Sequence, residues 1–399
     1  MITTADVETR LAGLDAIGRR ETGFHRLAWT DEDRAAAAWF AEQAAALELR
    51  VERDLAGNLW ACPDAPPPWW GVGSHLDTVA GGGRYDGALG VACAFAIAAE
   101  TSEPVAVVSF ADEEGGRYNT PTFGSRALVG RLDVDDVLAR ADGDGVTMAD
   151  AMRAAGVDPE RLRDAPSALE RLQGFLEIHI DQSRELEEAD TPIGVVTALA
   201  GRMRVAVEID GEADHAGTTR RGERRDALAA AARLIVAAED LAAPNPAFVV
   251  TPTRLLVEPN ALSTIPGSVR LWLDARAPDV ADVDAWRAGL EDAAADVAEQ
   301  RRVAIRLATA SRSAGVVFDA GVRAALARGA QVAQVAQAPA PEMVCFAGHD
   351  AGVIGERLPA GMVLVRNPTG VSHSPAEEVA VADAAVAARA VAAALEELA

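Results

Sequence analysis

Between Val105 and Ala111 the chain reads VAVVSFA, too short for a core helix and too continuously apolar for a strand with one wet face. Such a run must be buried on both sides, as strands are in parallel sheets covered by helices. A short apolar strand closing at Gly73, just before His75, carries the same signature and follows a proline-rich link from Pro63 to Pro68. Between the two lies a glycine loop, Gly81-Gly82-Gly83, and an apolar stretch from about Gly87 to Ala99 that is too short to span a bilayer and reads as a buried helix. Upstream, Thr30-Asp31-Glu32-Asp33 caps an alanine-rich helix carrying Trp39, Phe40 and Leu47. The extended segments LRVERD and LWAC follow, separated by a turn at Gly57-Asn58. Strands alternating with helices predict an α/β layer with a mostly parallel sheet flanked by helices.

The texture changes near Gly201. RMRVAVEIDG alternates as a half-exposed strand, and a helix follows from about Asp226 to Leu241. Two strand-like segments (FVVTPTRLLVEP and SVRLWLDARA), a helix from about Val283 to Arg301 and a strand closing near Ala308 complete this part. The order strand–helix–strand–strand–helix–strand predicts a smaller α+β domain. Buried-strand texture then returns in EMVCFAG and AGMVLVRNP, ahead of a C-terminal alanine-rich helix. The expected organisation is a discontinuous main domain, residues 1–200 and 315–399, with 201–314 inserted as a second domain.

Charge and composition remove whole function classes. Formal net charge is −24, and the sequence pI is about 4.6. Such a chain repels phosphate backbones and anionic lipid, so neither nucleic acid nor a membrane is an expected partner. Every basic residue is arginine. Without lysine there can be no Schiff base, no Walker P-loop and no carboxylated-lysine metal bridge. The cysteines Cys62, Cys93 and Cys345 are scattered, odd in number and free of any C-x-x-C, as in a reducing cytoplasm. No signal peptide is visible, so a cytoplasmic location is expected.

Five of the six histidines sit in marked surroundings: GSHLDTV (73–79), HIDQS (179–183), EADHAGTT (212–219), FAGHDAG (346–352) and VSHSPAEE (371–378). Two acidic segments join them, GGGRYDG (81–87) and DEEGG (112–116). His75 and Asp77 stand at the carboxyl end of a buried strand, where α/β proteins place their ligands. Glu113 and Glu114 end the next strand, and adjacent strand residues point to opposite sides, so the two can do different work. Taken singly, each histidine would be an ordinary core residue, DEE a solvated turn and the glycines a tight turn. Histidines and carboxylates gathered at strand ends instead suit a pair of divalent metals, with Asp86 as a bridge and a separate carboxylate as base. Asp77 is placed to take the other ring N–H of His75. The basic run Arg220 to Arg225 reads as the approach to a helix rather than an anion site.

These motifs, from RLAWTDED (26–33) to SHSPAEE (372–378), resemble the dinuclear-metal amidohydrolases that include N-carbamoyl-L-amino-acid hydrolase, bacterial-type β-ureidopropionase and allantoate amidohydrolase. That group shares a fold with aminoacylases and carboxypeptidase-like metallopeptidases. The resemblance implies two metal ions per subunit (Zn or Mn, with Co or Ni also able to fit), held by His75, Asp86, Glu114, His179 and His373. It implies Glu113 as general base and His215 as the group that steadies the tetrahedral intermediate across a homodimer, with 201–314 as lid and dimerisation domain. Asn260 and Arg276 match positions that hold a substrate carboxylate, Gln182 and His349 match pocket-lining positions, and Arg204 matches a contact to the ureido end.

The chain departs from the group's usual pattern at Arg220-Arg221, where Pro-Met is common, and at Ser263, where Asn is usual. It also has HIDQS for HIEQG, and VRNPTG before the last histidine motif. GTTR and RNPTGVSHSP resemble the allantoate branch most. The implied reaction is hydrolysis of a carbamoyl or ureido C–N bond in a small carboxylate, allantoate first and an N-carbamoyl-L-amino acid as the alternative. An acylase, a dipeptidase or a non-catalytic binding homologue stands further off.

Overall fold

The computed structural model describes residues 1–333 and 339–399. Two compact units result, one of Met1–Thr197 with Val317–Ala399 and one of Ala198–Val316.

The first unit is built on one large sheet. Its centre is four parallel strands in the order Ala360–Val365, Leu172–Ile180, Trp69–His75 and Val105–Phe110. Every residue of Trp69–His75 and Val105–Phe110 is buried, as the unbroken apolar runs require. Antiparallel strands finish the two sides, Ile193–Leu199 on one and Leu59–Cys62 with Arg50–Arg53 on the other. Helix Ala88–Glu100 is buried throughout its first ten residues, Ala88–Ile97. Thr30 caps helix Asp31–Ala46 by accepting the Asp33 N–H.

The alanine bias has a packing reason. Helices Ala320–Ala333 and Val381–Leu398 share a core with Thr4–Leu14 and the sheet, and Ala384, Ala387, Ala388 and Ala394 of the last helix are fully enclosed. Gly329 lets these backbones meet, since a Cβ there would lie 2.2 Å from the Ala390 carbonyl oxygen. Small side chains place these helices close together, and dispersion over the shared face replaces the larger side chains.

The second unit is an antiparallel four-stranded sheet in the order Val249–Glu258, Ser268–Ala277, Gly201–Asp210, Ala304–Ser313. The element order is the one the sequence alternation implies. Met203, Val205, Val207 and Ile209 face inward with Val269, Leu271, Leu273 and Ala275 beneath helices Ala227–Ala242 and Val280–Arg301. Trp286 ties the helices together, its indole N–H donating to the Ala238 carbonyl at 2.9 Å. The opposite sheet face presents Arg204, Asp274 and Arg276.

The tightest approach in the main sheet is at Gly73, where a Cβ would stand 1.7 Å from the Val108 carbonyl oxygen. Gly73→Ala is therefore expected to lose more than about 3 kcal/mol in urea unfolding. Gly143→Ala, where a Cβ meets nothing within 4 Å, should stay within about 0.5 kcal/mol of the parent.

Candidate active site

The parallel strands deliver two histidines to one place. His75 ends Trp69–His75, His179 lies one residue from the end of the neighbouring Leu172–Ile180, and their rings stack with centroids 5.8 Å apart. Both rings are fixed by main chain. His75 Nδ1 lies 3.0 Å from the Asp77 carbonyl oxygen and His179 Nδ1 lies 3.0 Å from that of Ile180. A carbonyl oxygen can only accept, so each Nδ1 carries the hydrogen, and the neutral ring aims its Nε2 lone pair the other way. Both lone pairs meet Asp86 Oδ1, at 3.4 Å from His75 and 3.1 Å from His179. Gly87 makes room for this, because a Cβ there would lie 2.4 Å from the His75 ring and its φ is +66°.

The second Asp86 oxygen looks toward a different set. Oδ2 accepts from the Gln182 amide and from the Ser372 hydroxyl, each at 3.1 Å, and lies 3.6 Å from His373 Nε2. His373 Nε2 is also 3.3 Å from Glu114 Oε2. Donor atoms thus fall into the groups His75–Asp86–His179 and Asp86–Glu114–His373, each set lying within 4.8 Å and sharing Asp86. Glu113 points to the His75 side, with Oε2 3.7 Å from Nε2. The Gln182 amide nitrogen donates to Asp86 Oδ2 and to Ser372 Oγ, at 3.1 and 3.0 Å.

Asp77 departs from expectation in an instructive way. Its backbone carbonyl, not its carboxylate, takes the His75 N–H, and Oδ1 stays 3.6 Å from that nitrogen. The carboxylate oxygens accept the consecutive N–H groups of Glu113 and Glu114, both at 3.1 Å. Two parallel amides suit a carboxylate's two oxygens better than one ring nitrogen does. The acidic turn is likewise not solvated: Asp112 is 1% exposed and has φ +50°. His373 also sits in the left-handed region at φ +55°. Such conformations in residues with side chains persist where the surroundings fix them and cluster at functional sites.

The electrostatics ask for cations. Burial drives the Glu113 carboxyl well above its ordinary range, with Asp350 and Glu114 adding to the effect and His75 opposing it. Glu114 is pushed up to about 8 by burial and by Asp86. Burial works against the charged form of His179, yet Asp86 and Glu177 lift it to about 9. Burial also opposes ionisation of Asp86, but His179 and His75 hold it well below the usual carboxylate range. Buried carboxylates this close to one another need paired positive charge. Divalent ions with imidazole and carboxylate donors fit, because the Nε2 atoms of His75 and His179 converge on Asp86 Oδ1.

Further residues complete the surroundings. Glu177, two positions before His179 and on the same strand face, accepts from Ser74 Oγ at 2.7 Å and from the Ala351 N–H at 2.8 Å. His349 is 2% exposed with its ring 4.4 Å from that of His179, and neither ring nitrogen has a hydrogen-bond partner among the described residues. Burial and the neighbouring His179 hold His349 well below the usual imidazole range, so it is neutral. Asp350 accepts from Ser125 Oγ at 2.5 Å. Glu377, inside the last histidine motif, is buried behind Asp86. Only its place beside His373 could have flagged it.

The second unit holds the remaining candidates. Arg204 and Arg276 donate their Nε–H groups to the two oxygens of Asp274, at 2.8 and 2.7 Å. Arg204 is the cross-strand partner of Asp274 and Arg276 is two residues along, so all three share one face. Burial raises the Asp274 pKa, but hydrogen bonds from Arg276 and Arg204 outweigh it and leave the group lowered. His215 is exposed, and its Nδ1 accepts the N–H groups of Gly217 and Thr218 at 3.0 and 3.1 Å. The neutral ring therefore carries its hydrogen on Nε2 and presents a donor outward. Asn260 is exposed in the loop after Glu258.

A parallel sheet whose carboxyl edge gathers histidines and carboxylates around one shared aspartate defines a metal-dependent hydrolase. The model of peptidase family M20/M25/M40 matches residues 71–397, and the chain belongs to that family. Its relatives place it among amidohydrolases of C–N bonds other than peptide bonds. An N-carbamoyl-L-amino acid amidohydrolase of Geobacillus stearothermophilus is 36% identical over 394 residues, covering 95% of this chain and 94% of that protein. An allantoate amidohydrolase of Escherichia coli is 30% identical over 406 residues, covering 98% and 97%. The crystal structure of a hydantoinase/carbamoylase family amidase from Burkholderia multivorans superposes with a TM-score of 0.89 at 29% identity, covering 99% and 97%. No helix among the described residues is long and apolar enough to cross a membrane.

Because Asp77 fixes the peptide that carries Glu113 and Glu114, Asp77→Ala should lower kcat/KM about 10- to 100-fold. Asp77→Asn, with one oxygen left to accept, should fall between it and the parent in a steady-state assay.

Proposed function

We propose that this protein hydrolyses the carbamoyl or ureido C–N bond of a small carboxylate, with two divalent ions that the donor groups meeting at Asp86 would hold. The observation that carries the reading is the pairing of the two donor groups through the two oxygens of that one side chain. His75 and His179 would hold one ion with Asp86, and Glu114 and His373 the other. When bound, such a pair polarises a carbonyl and makes water a stronger acid.

The chain's own groups supply the rest. Glu113, buried beside His75, takes a proton from the attacking water and returns it to the leaving nitrogen. His215 offers its Nε2–H to the oxygen that becomes negative, a contribution of about 3 kcal/mol in comparable sites. Arg276 and Asn260 hold the substrate carboxylate and Arg204 the ureido end, with Asp274 steadying both guanidinium groups. The products are the amine and carbamate, which falls to CO2 and ammonia. A homodimer, with residues 201–314 serving as lid, belongs to the same reading.

Allantoate is the first substrate to offer, on the strength of the GTTR and RNPTGVSHSP segments. N-carbamoyl-L-amino acids are the second, favoured by the 36% identity to the Geobacillus stearothermophilus enzyme. Ammonia release from both, by Mn- or Zn-loaded protein, tests the reading. Glu113→Ala should lose at least about 1,000-fold in kcat while melting within a few degrees of the parent. Arg276→Ala should raise KM about tenfold or more, and Arg276→Lys should not restore it, since a point charge cannot replace the fork. Activity on neither substrate with metal bound would overturn the proposal.

A further inference from the structure

The final histidine motif holds a carboxylate that does for Asp86 what Asp77 does for Glu113 and Glu114. Glu377 is 6% exposed, and its Oε2 accepts two consecutive N–H groups, Tyr85 at 2.8 Å and Asp86 at 3.0 Å. Its own N–H donates to the Ser374 carbonyl at 3.1 Å, which closes a short turn directly after His373. One side chain thus ties the peptide carrying Asp86 to the turn carrying His373, two segments almost 300 residues apart in sequence. The fit leaves no slack. A Cβ on Gly83 would lie 2.2 Å from Glu377 Oε2 and 2.7 Å from Glu377 Cβ, and the Gly83 backbone is otherwise open to any residue.

A carboxylate that only satisfied two loop amides could have been replaced by water at the surface. Buried here, with Oε1 lacking a hydrogen-bond partner among the described residues, it costs desolvation that a purely local turn would not need. We propose that Glu377 is the positioning residue that sets Asp86 against His373, so that the ion shared by Asp86, Glu114 and His373 is retained only while Glu377 keeps its two amide contacts. This inference rests on the reading of those three residues as ligands. Glu377 touches no substrate. It acts through the backbone of Asp86.

The test uses the full-length protein loaded with Mn(II), with metal per chain measured after dialysis and affinity measured by competition with a chelating dye. The parent is compared with Glu377→Ala, Glu377→Gln, Gly83→Ala and Asp86→Ala, each with a melting curve in excess metal. Glu377→Ala should hold the ion at Asp86, Glu114 and His373 about 10- to 100-fold less tightly and retain the other. Gly83→Ala, which displaces the same side chain, should behave alike and stands in if Glu377→Ala does not fold. Glu377→Gln should remain within about tenfold of the parent, because one amide oxygen can still accept both N–H groups. Parent-like affinity in both Glu377→Ala and Gly83→Ala would overturn the proposal, as would Glu377→Gln failing as badly as Glu377→Ala. If Asp86→Ala also keeps its full metal content, the ligand reading itself has failed. If Asp86→Ala loses metal while the Glu377 and Gly83 variants keep theirs, only the role of Glu377 has.

Discussion

Two imidazole lone pairs face one carboxylate oxygen, and no arrangement of the protein's own neutral hydrogens can reconcile them. His75 and His179 are held in that posture by backbone carbonyls at 3.0 Å, and the oxygen they face belongs to Asp86. Only added protons or a cation relieve the opposition, and the surrounding buried carboxylates make a divalent ion the better answer. Gly87 exists as glycine because the His75 ring occupies the space of its side chain.

Two carboxylates hold the scaffold in the same manner from opposite directions. Asp77 takes the amides of Glu113 and Glu114, and Glu377 takes those of Tyr85 and Asp86. A carboxylate bound to paired main-chain N–H groups fixes a loop without the side-chain entropy cost of joining two long side chains. The loops that carry the donors are therefore stiff although they are not helices or strands. On the second unit the same economy appears with guanidinium donors in place of amides, one Asp274 carboxylate ordering two arginines.

Much of this was legible in the sequence. VAVVSFA and the strand before His75 announced buried parallel strands, and the alternation from Gly201 onward gave the order of the inserted sheet and its helices. The residue types at strand ends pointed to a shared-aspartate centre. What could not be read was contact carried by backbone. Asp77 sits beside His75 in sequence, so the ring seemed its natural partner, yet its oxygens serve amides some 36 residues away. A backbone N–H is the same at every position, so such pairings leave no signature in composition or period. Glu177 and Asp350 likewise accept bonds from the Ser74 and Ser125 hydroxyls, and Ser372 donates to Asp86, pairs just over 100 to almost 300 residues apart that no local pattern marks.

Strand Ala360–Val365 lies between Leu172–Ile180 and Ile193–Leu199, both of which are made long before it. During synthesis, at about 5–20 residues per second, the chain waits roughly 10 to 40 seconds between His179 and His373. Through that interval the two earlier strands have open edges facing the gap, and the inserted unit has already emerged complete. The last strand is thus the keystone of the sheet as well as the carrier of the segment that leads to His373 and Glu377. A message truncated anywhere before residue 360 would yield a chain with unpaired apolar strand edges in its middle, a template for aggregation rather than a weakened enzyme.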